Sequence, residues 1–154
     1  MGRKIYVDMN GVLARWRCVP LEEITKHNYF LNLEPEPSIV GAAIQLLNAG
    51  ADIEVLSSSL SVRACWEKRM WLDRVGLENI KSVFIPYGEN KADYVNEDNA
   101  LLIDDFGKNL SEWKGTPVKF YNGINGHGGT EYKYKLYHYQ TPETLTEQII
   151  KFAA

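Results

Sequence analysis

The sequence predicts an α/β fold with a doubly wound, Rossmann-like parallel sheet. Short apolar segments typical of strands alternate with segments whose apolar residues recur at helical spacing. No internal repeat or low-complexity linker interrupts this alternation. Strands that alternate with helices build βαβ units, in which the strands are parallel and helices cover both faces of the sheet. Because ligands bind at the carboxyl ends of such strands, the residues that follow each strand are the first candidates for a site.

Five segments are predicted as strands of this sheet. Each is short, rich in apolar or β-branched residues, and followed by a polar residue or a proline. A further segment near the C-terminus alternates tyrosine with other residues, which is typical of an edge strand or of an arm over the core. A basic and aromatic nucleic-acid patch would show the same pattern. The five strands are predicted at 4–7, 52–56, 80–85, 100–103 and 118–121, the alternating segment at 132–139, and a glycine-rich loop at 122–130.

The helices are predicted from their caps and their apolar spacing. Ser38 and Ser61 are each predicted to cap a helix, because a hydroxyl can accept an unpaired backbone N–H at a helix start. Shorter helices are predicted at about 91–95 and 108–113, and Thr141-Pro142-Glu143 begins a C-terminal helix. The face predicted for the helix after Ser61 consists of Val62, Cys65, Trp66 and Met70.

The composition is that of a globular protein. The chain has 154 residues, 45% of them apolar and 24% charged, with a net charge of −3, which argues against disorder and against a protein that coats polymeric nucleic acid. It contains no apolar run of the ~18 residues that a membrane helix needs, and its first residues are not typical of a signal peptide. Cys18 and Cys65 are too few for a disulfide framework or a zinc site. We therefore expect one domain in the cytoplasm, with no membrane partner.

Residues able to support phosphoryl transfer follow the predicted strands. Asp8 follows the first strand, Ser57 the second, and Asp104-Asp105 the strand at 100–103, while Lys91 lies between these last two. A carboxylate can attack phosphorus as a nucleophile, a hydroxyl can donate a hydrogen bond to a phosphate oxygen, and a lysine can neutralise charge. The three carboxylates also offer the hard oxygen ligands that suit Mg²⁺.

These residues resemble the four motifs of the haloacid dehalogenase-like (HAD) phosphohydrolases. The first motif is Asp8-Met9-Asn10-Gly11-Val12-Leu13, and Ser57, Lys91 and Ile103-Asp104-Asp105 follow in the family's order. The resemblance covers most of the chain. The combination is specific, although any one motif alone would be a weak indication.

Within this superfamily, the chain looks most like the 5'(3')-deoxyribonucleotidases. Residues 7–13 and 102–110 carry that likeness, and residues 120–126 are similar to small bacterial and phage members of the group. The resemblance implies a Mg²⁺-dependent phosphatase whose partner is a small phosphorylated substrate, a nucleoside monophosphate or a similar phosphomonoester. It also implies that a small cap, about residues 14–34, is inserted into a single HAD-like domain of residues 1–154.

The resemblance assigns the metal ligands and the nucleophile. Asp8 matches the nucleophile and a metal ligand, and the backbone carbonyl of Asn10 matches another ligand. Asp105 matches a metal ligand, and Asp104 matches either a second ligand or the support of the first. The expected metal is Mg²⁺.

The resemblance also assigns the phosphate contacts. Ser57 matches the phosphate-binding hydroxyl. Ser58 or Ser59, which follow it at the end of the second strand, are expected as additional phosphate contacts. Lys91 matches the lysine of the third motif, which neutralises charge on the phosphate or on the aspartyl-phosphate.

Asn10 departs from the family pattern. The family usually has an aspartate at this position, where it protonates the leaving oxygen and later activates water. An amide cannot carry a proton, and losing a general acid–base typically costs 10²–10⁴-fold in rate. The sequence therefore leaves two functions open: a phosphohydrolase, as in branches of the superfamily with a non-acidic residue here, or a catalytically impaired nucleotide- or phosphate-binding domain. A receiver-like regulatory domain is disfavoured, because receivers carry the acidic pair before the phosphorylated aspartate.

Aromatic residues of the expected cap have two interpretations. Trp16, Tyr29 and Phe30 would form either a stacking surface for a nucleobase or a small core for the insertion. Trp66 and Trp71 are expected to pack their helix rather than to contact a ligand.

Overall fold

The fold is a parallel sheet of six strands with helices on both faces, which confirms the predicted fold class. The computed structural model describes residues 2–95, 97–127 and 130–154. The strands are β1 (Ile5–Val7), β2 (Ile53–Ser59), β3 (Lys81–Pro86), β4 (Leu101–Asp104), β5 (Thr116–Tyr121) and β6 (Tyr134–Tyr137). The helices are α1 (Leu21–Ile24), α2 (Pro37–Asn48), α3 (Val62–Arg74), α4 (Gly107–Glu112) and α5 (Pro142–Ala153), and 3₁₀ turns span Phe30–Asn32 and Lys91–Asp93.

The strand order is β3-β2-β1-β4-β5-β6, and every neighbouring pair is parallel. Strand β1 lies in the middle, where Ile5 pairs with Ile53 on one side and with Leu101 on the other. The chain thus adds β2 and β3 on one side of β1, and then crosses back to add β4, β5 and β6 on the other side. In a doubly wound sheet a crevice opens at this reversal, between the carboxyl ends of β1 and β4.

Two apolar clusters hold the sheet between its helices. Ile5 and Val7 of β1 contribute to the larger cluster with α2, α3 and α5, whereas Tyr6 contributes to the smaller one, which includes Trp113 after α4. Each fully buried aliphatic or aromatic side chain stabilises the fold by about 1.5–3 kcal/mol. Burial on both faces fixes β1 and β4, so the side chains that follow these strands have well-defined positions.

Helix α3 buries a face different from the predicted one. Val62, Trp66 and Met70 are largely exposed, and only Trp71 fulfils the expected packing role. The prediction was wrong because the buried face carries two charged residues, which a search for apolar spacing passes over. The buried residues of α3 are Ala64, Glu67, Lys68, Trp71 and Leu72.

The predicted cap at Ser38 is also wrong. Helix α2 begins one residue earlier, at Pro37, which lacks the N–H that a helix start leaves unpaired. The Ser38 hydroxyl instead donates a hydrogen bond of 2.7 Å to the backbone carbonyl of His138, which ties α2 to the segment after β6. The cap at Ser61 is confirmed, since its side chain accepts the backbone N–H of Ala64. The predicted C-terminal helix begins at Pro142, and the structure shows that Thr141 caps it by accepting the backbone N–H of Thr144.

Other elements differ from the predictions mainly in their bounds. The alternating segment forms β6 at the sheet edge, parallel to β5. Strand β2 continues to Ser59, and the predicted helix at 91–95 is the single 3₁₀ turn Lys91–Asp93. The predicted glycine-rich loop includes Gly128-Gly129, which lies outside the described residues. No helix in the described part of the chain is both long and apolar enough to cross a membrane.

Candidate active site

Three buried carboxylates meet at the crevice between β1 and β4. Asp8 follows β1, while Asp104 ends β4 and precedes Asp105; each offers an oxygen within 4.8 Å of the others. Burial raises the pKa of Asp8 to about 6, and the negative charge of Asp104 adds to this effect. Burial, and then the charges of Asp8 and Asp104, hold the pKa of Asp105 well above its usual range. The fold therefore concentrates negative charge where a cation would relieve the repulsion.

Lys91 is shared between two of these carboxylates. Its Nζ lies 3.0 Å from Asp8 Oδ1 and 2.8 Å from Asp104 Oδ2. Asn90 caps the 3₁₀ turn that presents this lysine, since its side-chain oxygen accepts the backbone N–H of Ala92. Burial lowers the pKa of Lys91, but the charges of Asp104 and Asp8 outweigh this effect and raise it above its ordinary value. Lys91 therefore stays protonated at neutral pH.

Asp104 directs its oxygens toward the protein. In addition to Lys91, Oδ2 accepts a hydrogen bond of 3.1 Å from the side chain of Asn109, and Oδ1 accepts one of 2.9 Å from the backbone N–H of Phe106. Asp8 and Asp105 line the cavity above it, whereas Asp104 does not. This arrangement favours Asp104 as the residue that holds Lys91 in place, rather than as a ligand.

The turn after Asp8 presses against Asp105. Gly11 has φ = +88°, and a Cβ atom at this position would lie 2.1 Å from Asp105 Oδ2. Glycine is therefore required here both by the left-handed backbone and by the space that Asp105 occupies. Asn10 lines the cavity, and its buried side-chain oxygen has no hydrogen-bond partner among the described residues.

Lys68 of α3 is a second buried lysine at the site. Its Nζ donates hydrogen bonds to Ser57 Oγ, across 3.0 Å, and to the backbone carbonyl of Ser58, and it lies 4.6 Å from the ring centre of Phe30. It forms no ion pair with any residue within 2–95, 97–127 or 130–154. Burial lowers the pKa of Lys68 to about 8, although the charge of Asp8 acts in the opposite direction. A buried cation without a carboxylate partner indicates a place for an anion.

Lys68 was missed by sequence reasoning, although the sequence contains a signal for it. The residue recurs at helical spacing with Ala64, Trp71 and Leu72, so it lies on a stripe of otherwise apolar residues. The competing stripe that contains Trp66 obscured this pattern. Asn125 was also missed as a site residue: its Nδ2 donates a hydrogen bond of 2.8 Å to Asp105 Oδ2.

A cavity of about 420 Å³ opens above the carboxylates, a volume that suits a small molecule. It brings together the predicted nucleophile, metal ligands and phosphate contacts except Asp104 and Ser59, which do not line it. Its polar floor is formed by Asp8, Asn10, Ser57, Ser58, Lys68, Lys91, Asp105, Asn109 and Asn125. Its apolar walls include Trp16, Leu21, Ile24, Phe30, Tyr87 and Phe106.

Residues 14–34, the segment expected to form a cap, supply one wall of this cavity. The segment contains α1 and the 3₁₀ turn Phe30–Asn32. Of its aromatic residues, Trp16 and Phe30 line the cavity. Tyr29 does not, and instead packs edge-on against Phe30 at a ring separation of 5.1 Å. Trp16 and Phe30 are therefore exposed to the cavity, while Tyr29 packs within the segment, and stacking on a nucleobase stays a prediction.

Helix α3 holds this segment in place. The buried carboxylate of Glu67 accepts hydrogen bonds from the backbone N–H groups of Asn28 and Phe30, across 3.2 and 3.1 Å. Trp71 donates a hydrogen bond of 2.8 Å from its indole N–H to the carbonyl of Leu33. One helix therefore positions both the cavity wall, through Glu67, and the cation on the floor, through the adjacent Lys68.

Comparison with known proteins does not identify the chain. No family model matches it, and no curated protein matches it either. Membership of the HAD superfamily therefore stays a prediction, and any function must be argued from the geometry of the cavity.

Proposed function

We propose that the chain is a Mg²⁺-dependent phosphohydrolase of the HAD type, which dephosphorylates nucleoside monophosphates or similar small phosphomonoesters. The observation that carries this proposal is a single cavity whose floor contains the carboxylates of Asp8 and Asp105, the hydroxyl of Ser57 and the ammonium groups of Lys68 and Lys91. A carboxylate is repelled by a phosphate dianion, so a nucleophilic aspartate needs cations around it. This floor provides two of them and the ligands for a third.

The donor set suits Mg²⁺. Asp8 and Asp105 would hold the ion, together with the backbone carbonyl of Asn10 that the family resemblance assigns. Lys91 lies between Asp8 and Asp104, whereas no described ammonium group contacts the carboxylate oxygens of Asp105. When bound, Mg²⁺ would offset the charge of these carboxylates and polarise the phosphoryl oxygens.

Ser57, Lys68 and Lys91 are the proposed phosphate contacts. Lys68 is buried, is fixed by Ser57 and Ser58, and pairs with no carboxylate in the described chain, so its charge is available to an anion. Lys91 is held at Asp8 and can stabilise negative charge next to the attacked phosphorus atom. Because these groups are held by the fold before substrate arrives, they act as preorganised electrostatic stabilisation.

The proposed reaction has two steps. In the first, an Asp8 oxygen attacks phosphorus, the bond to the leaving oxygen breaks, and that oxygen takes a proton from solvent. In the second, water attacks the phosphorus of the aspartyl-phosphate and loses a proton, which regenerates the Asp8 carboxylate and releases inorganic phosphate. The Asn10 side-chain oxygen, which has no hydrogen-bond partner among residues 2–95, 97–127 and 130–154, can orient the water by accepting a hydrogen bond, but it cannot take the proton.

The walls of the cavity suit a flat, apolar leaving group. Trp16 and Phe30 lie on the side of residues 14–34, and Tyr87 and Phe106 lie on loops that follow β3 and β4. Aromatic side chains stack on nucleobases with little preference for which base is present. A nucleoside monophosphate would place its phosphate on the polar floor and its base between these walls.

The proposal is tested by measuring phosphate release from a panel of nucleoside and deoxynucleoside monophosphates, with Mg²⁺ and with a chelator. We expect release that requires Mg²⁺ and that is lost in the Asp8→Asn variant, which keeps the size of the side chain but removes the nucleophile. If neither this chain nor its Asn10→Asp variant releases phosphate from any substrate, the chain is not a phosphohydrolase of this type.

Asn10 also favours a second candidate function, a domain that binds nucleotides or phosphate without turnover. An amide at position 10 cannot carry a proton, so it would remove the acid–base step while the phosphate contacts Ser57, Lys68 and Lys91 stay in place. Calorimetry with Mg²⁺ and the same nucleotides separates the two candidates, because binding without release supports the second. Absence of binding contradicts both.

A further inference from the structure

The carboxylate of Asp105 is fixed by an amide rather than by a cation. Asn125, in the loop after β5, donates a hydrogen bond of 2.8 Å from Nδ2 to Asp105 Oδ2. Asp105 is 3% exposed, and its carboxylate takes part in no ion pair within the described residues. Because an amide donor carries no net charge, it orients this carboxylate without neutralising it.

Asn125 is in turn held by Asn122, whose amide group has several hydrogen-bond partners. Asn122 Oδ1 accepts the backbone N–H groups of Ile124 and Asn125, across 2.8 and 2.9 Å. Its Nδ2 donates to the side-chain oxygen of Asn125 and, across 2.9 Å, to the carbonyl of Gly11. Asn122 therefore links the loop after β5 to the turn after β1, which carries Asn10 and Gly11.

The main chain of Asp105 is anchored by strand β5. Lys119 of β5 is 3% exposed, and its Nζ donates a hydrogen bond to the backbone carbonyl of Asp105. Gly11 lies against the Asp105 carboxylate and leaves no room for a Cβ atom. Asp105 is thus restrained at its backbone, at one carboxylate oxygen and on the face next to Gly11.

We propose that Asn125, held by Asn122, is the positioning residue that orients Asp105 for a divalent cation and thereby sets the affinity of the site for Mg²⁺. This inference rests on the proposed function, because it takes Asp105 as a metal ligand. Groups that orient a metal ligand change metal affinity by about 10–100-fold when they are removed. Neither asparagine touches the phosphate contacts Ser57 and Lys68 in this structure.

The test is isothermal titration calorimetry of the full chain with MgCl₂, on the unmodified protein and on Asn125→Ala. Asn48→Ala is the matched control, because Asn48 is exposed at the end of α2. We expect Mg²⁺ to bind Asn125→Ala about 10–100-fold more weakly and Asn48→Ala with unchanged affinity. Raising Mg²⁺ to saturation is expected to restore turnover in Asn125→Ala, since Asp8 and the phosphate contacts are unaltered.

A thermal unfolding curve without metal shows whether Asn125→Ala folds. If it does not, Asn125→Ser is measured instead, since a serine hydroxyl offers the Asn122 amide an acceptor that alanine lacks, while the shorter side chain removes the hydrogen bond to Asp105. Unchanged Mg²⁺ affinity in the folded variant overturns the inference and leaves the proposed function standing. If the unmodified chain binds no Mg²⁺, both the proposed metal site and this inference are overturned.

Discussion

The Nζ of Lys68 lies 3.0 Å from the hydroxyl oxygen of Ser57, and this pair joins helix α3 to the end of β2. Throughout the described ranges, Lys68 has hydroxyl and carbonyl partners but no carboxylate partner. Lys91 differs, because it contacts both Asp8 and Asp104. Removing the charge of Lys68 and removing that of Lys91 should therefore change the free energy of unfolding in opposite directions.

Replacing Lys68 with methionine is expected to stabilise the fold and to weaken phosphate binding. The lowered pKa of Lys68 shows that the folded chain disfavours its charged form, so removing the charge should raise the free energy of unfolding by about 1–3 kcal/mol at neutral pH. The site loses one of its cations, so the affinity for inorganic phosphate should fall at least about tenfold. Chemical denaturation and calorimetry with inorganic phosphate measure the two effects.

Lys91→Met is the comparison for this variant. It leaves Asp8 and Asp104 buried without a cation, and should lower the free energy of unfolding by about 3–5 kcal/mol. Equal destabilisation by the two substitutions would contradict the distinction between a paired and an unpaired lysine.

Phosphate affinity is expected to fall as the pH rises above about 8. Burial lowers the pKa of Lys68 to about 8, while Lys91 keeps its proton because Asp104 and Asp8 outweigh the effect of burial. Inorganic phosphate is already a dianion in this range, so loss of the Lys68 proton should dominate, by up to about tenfold per pH unit. The fall begins at the pKa of Lys68 in the free protein and levels off at the higher pKa that Lys68 has beside a bound anion.

Calorimetric titrations with phosphate at several pH values measure this dependence. Lys68→Arg provides the control, because a guanidinium stays charged across the range. An equally steep fall in Lys68→Arg would show that another group titrates.

Gly11→Ala should damage both stability and metal binding. Its backbone has φ = +88°, and the new Cβ atom would lie 2.1 Å from Asp105 Oδ2. Gly50→Ala is the matched control, since Gly50 has φ = +82° but no atom within 4 Å of the added Cβ. We expect Gly50→Ala to cost about 1–2 kcal/mol from backbone strain alone and to keep Mg²⁺ affinity.

For Gly11→Ala we expect a larger loss of stability together with loss of Mg²⁺ binding, because the Asp105 carboxylate must move. Thermal unfolding with and without Mg²⁺ separates the two effects. Similar behaviour of the two variants would mean that Asp105 accommodates the methyl group.

The sequence predicts the architecture because its determinants are local. Asp8 and the Asp104-Asp105 pair follow apolar strands, and a doubly wound sheet brings the carboxyl ends of its strands to one edge. The alternation predicts a parallel sheet but not the order of its strands, which places the crevice between β1 and β4. Ser61 is identified correctly as a cap because its hydrogen bond is formed within one helical turn.

The remaining features depend on contacts between residues distant in sequence. Lys68 reaches the site only because α3 packs its charged face inward, and Glu67 on that face is satisfied by backbone groups about 40 residues away. Helical spacing alone cannot distinguish this face from the exposed one that carries Trp66. Asn125 contacts Asp105 across a loop whose shape no periodic pattern predicts.

Asn10→Asp is expected to increase turnover by about 10²–10⁴-fold, because an aspartate can protonate the leaving oxygen and deprotonate water. The substitution keeps the size of the side chain, and Asn10 already lines the cavity. Steady-state phosphate release with Mg²⁺ measures the effect. A variant that binds nucleotide as the unmodified chain does, but is no faster, would show that proton transfer does not limit the reaction.

Trapping the phosphorylated residue tests the central claim most directly, since Asn10 should slow the second step and let the aspartyl-phosphate accumulate. The chain is mixed with substrate and Mg²⁺, quenched in acid, reduced with borohydride to convert an acyl phosphate to homoserine, and mapped by peptide mass spectrometry. We predict homoserine at position 8, and none in Asp8→Asn. Turnover of substrate with no modification at Asp8, or with phosphate trapped on another residue, would contradict the proposed mechanism.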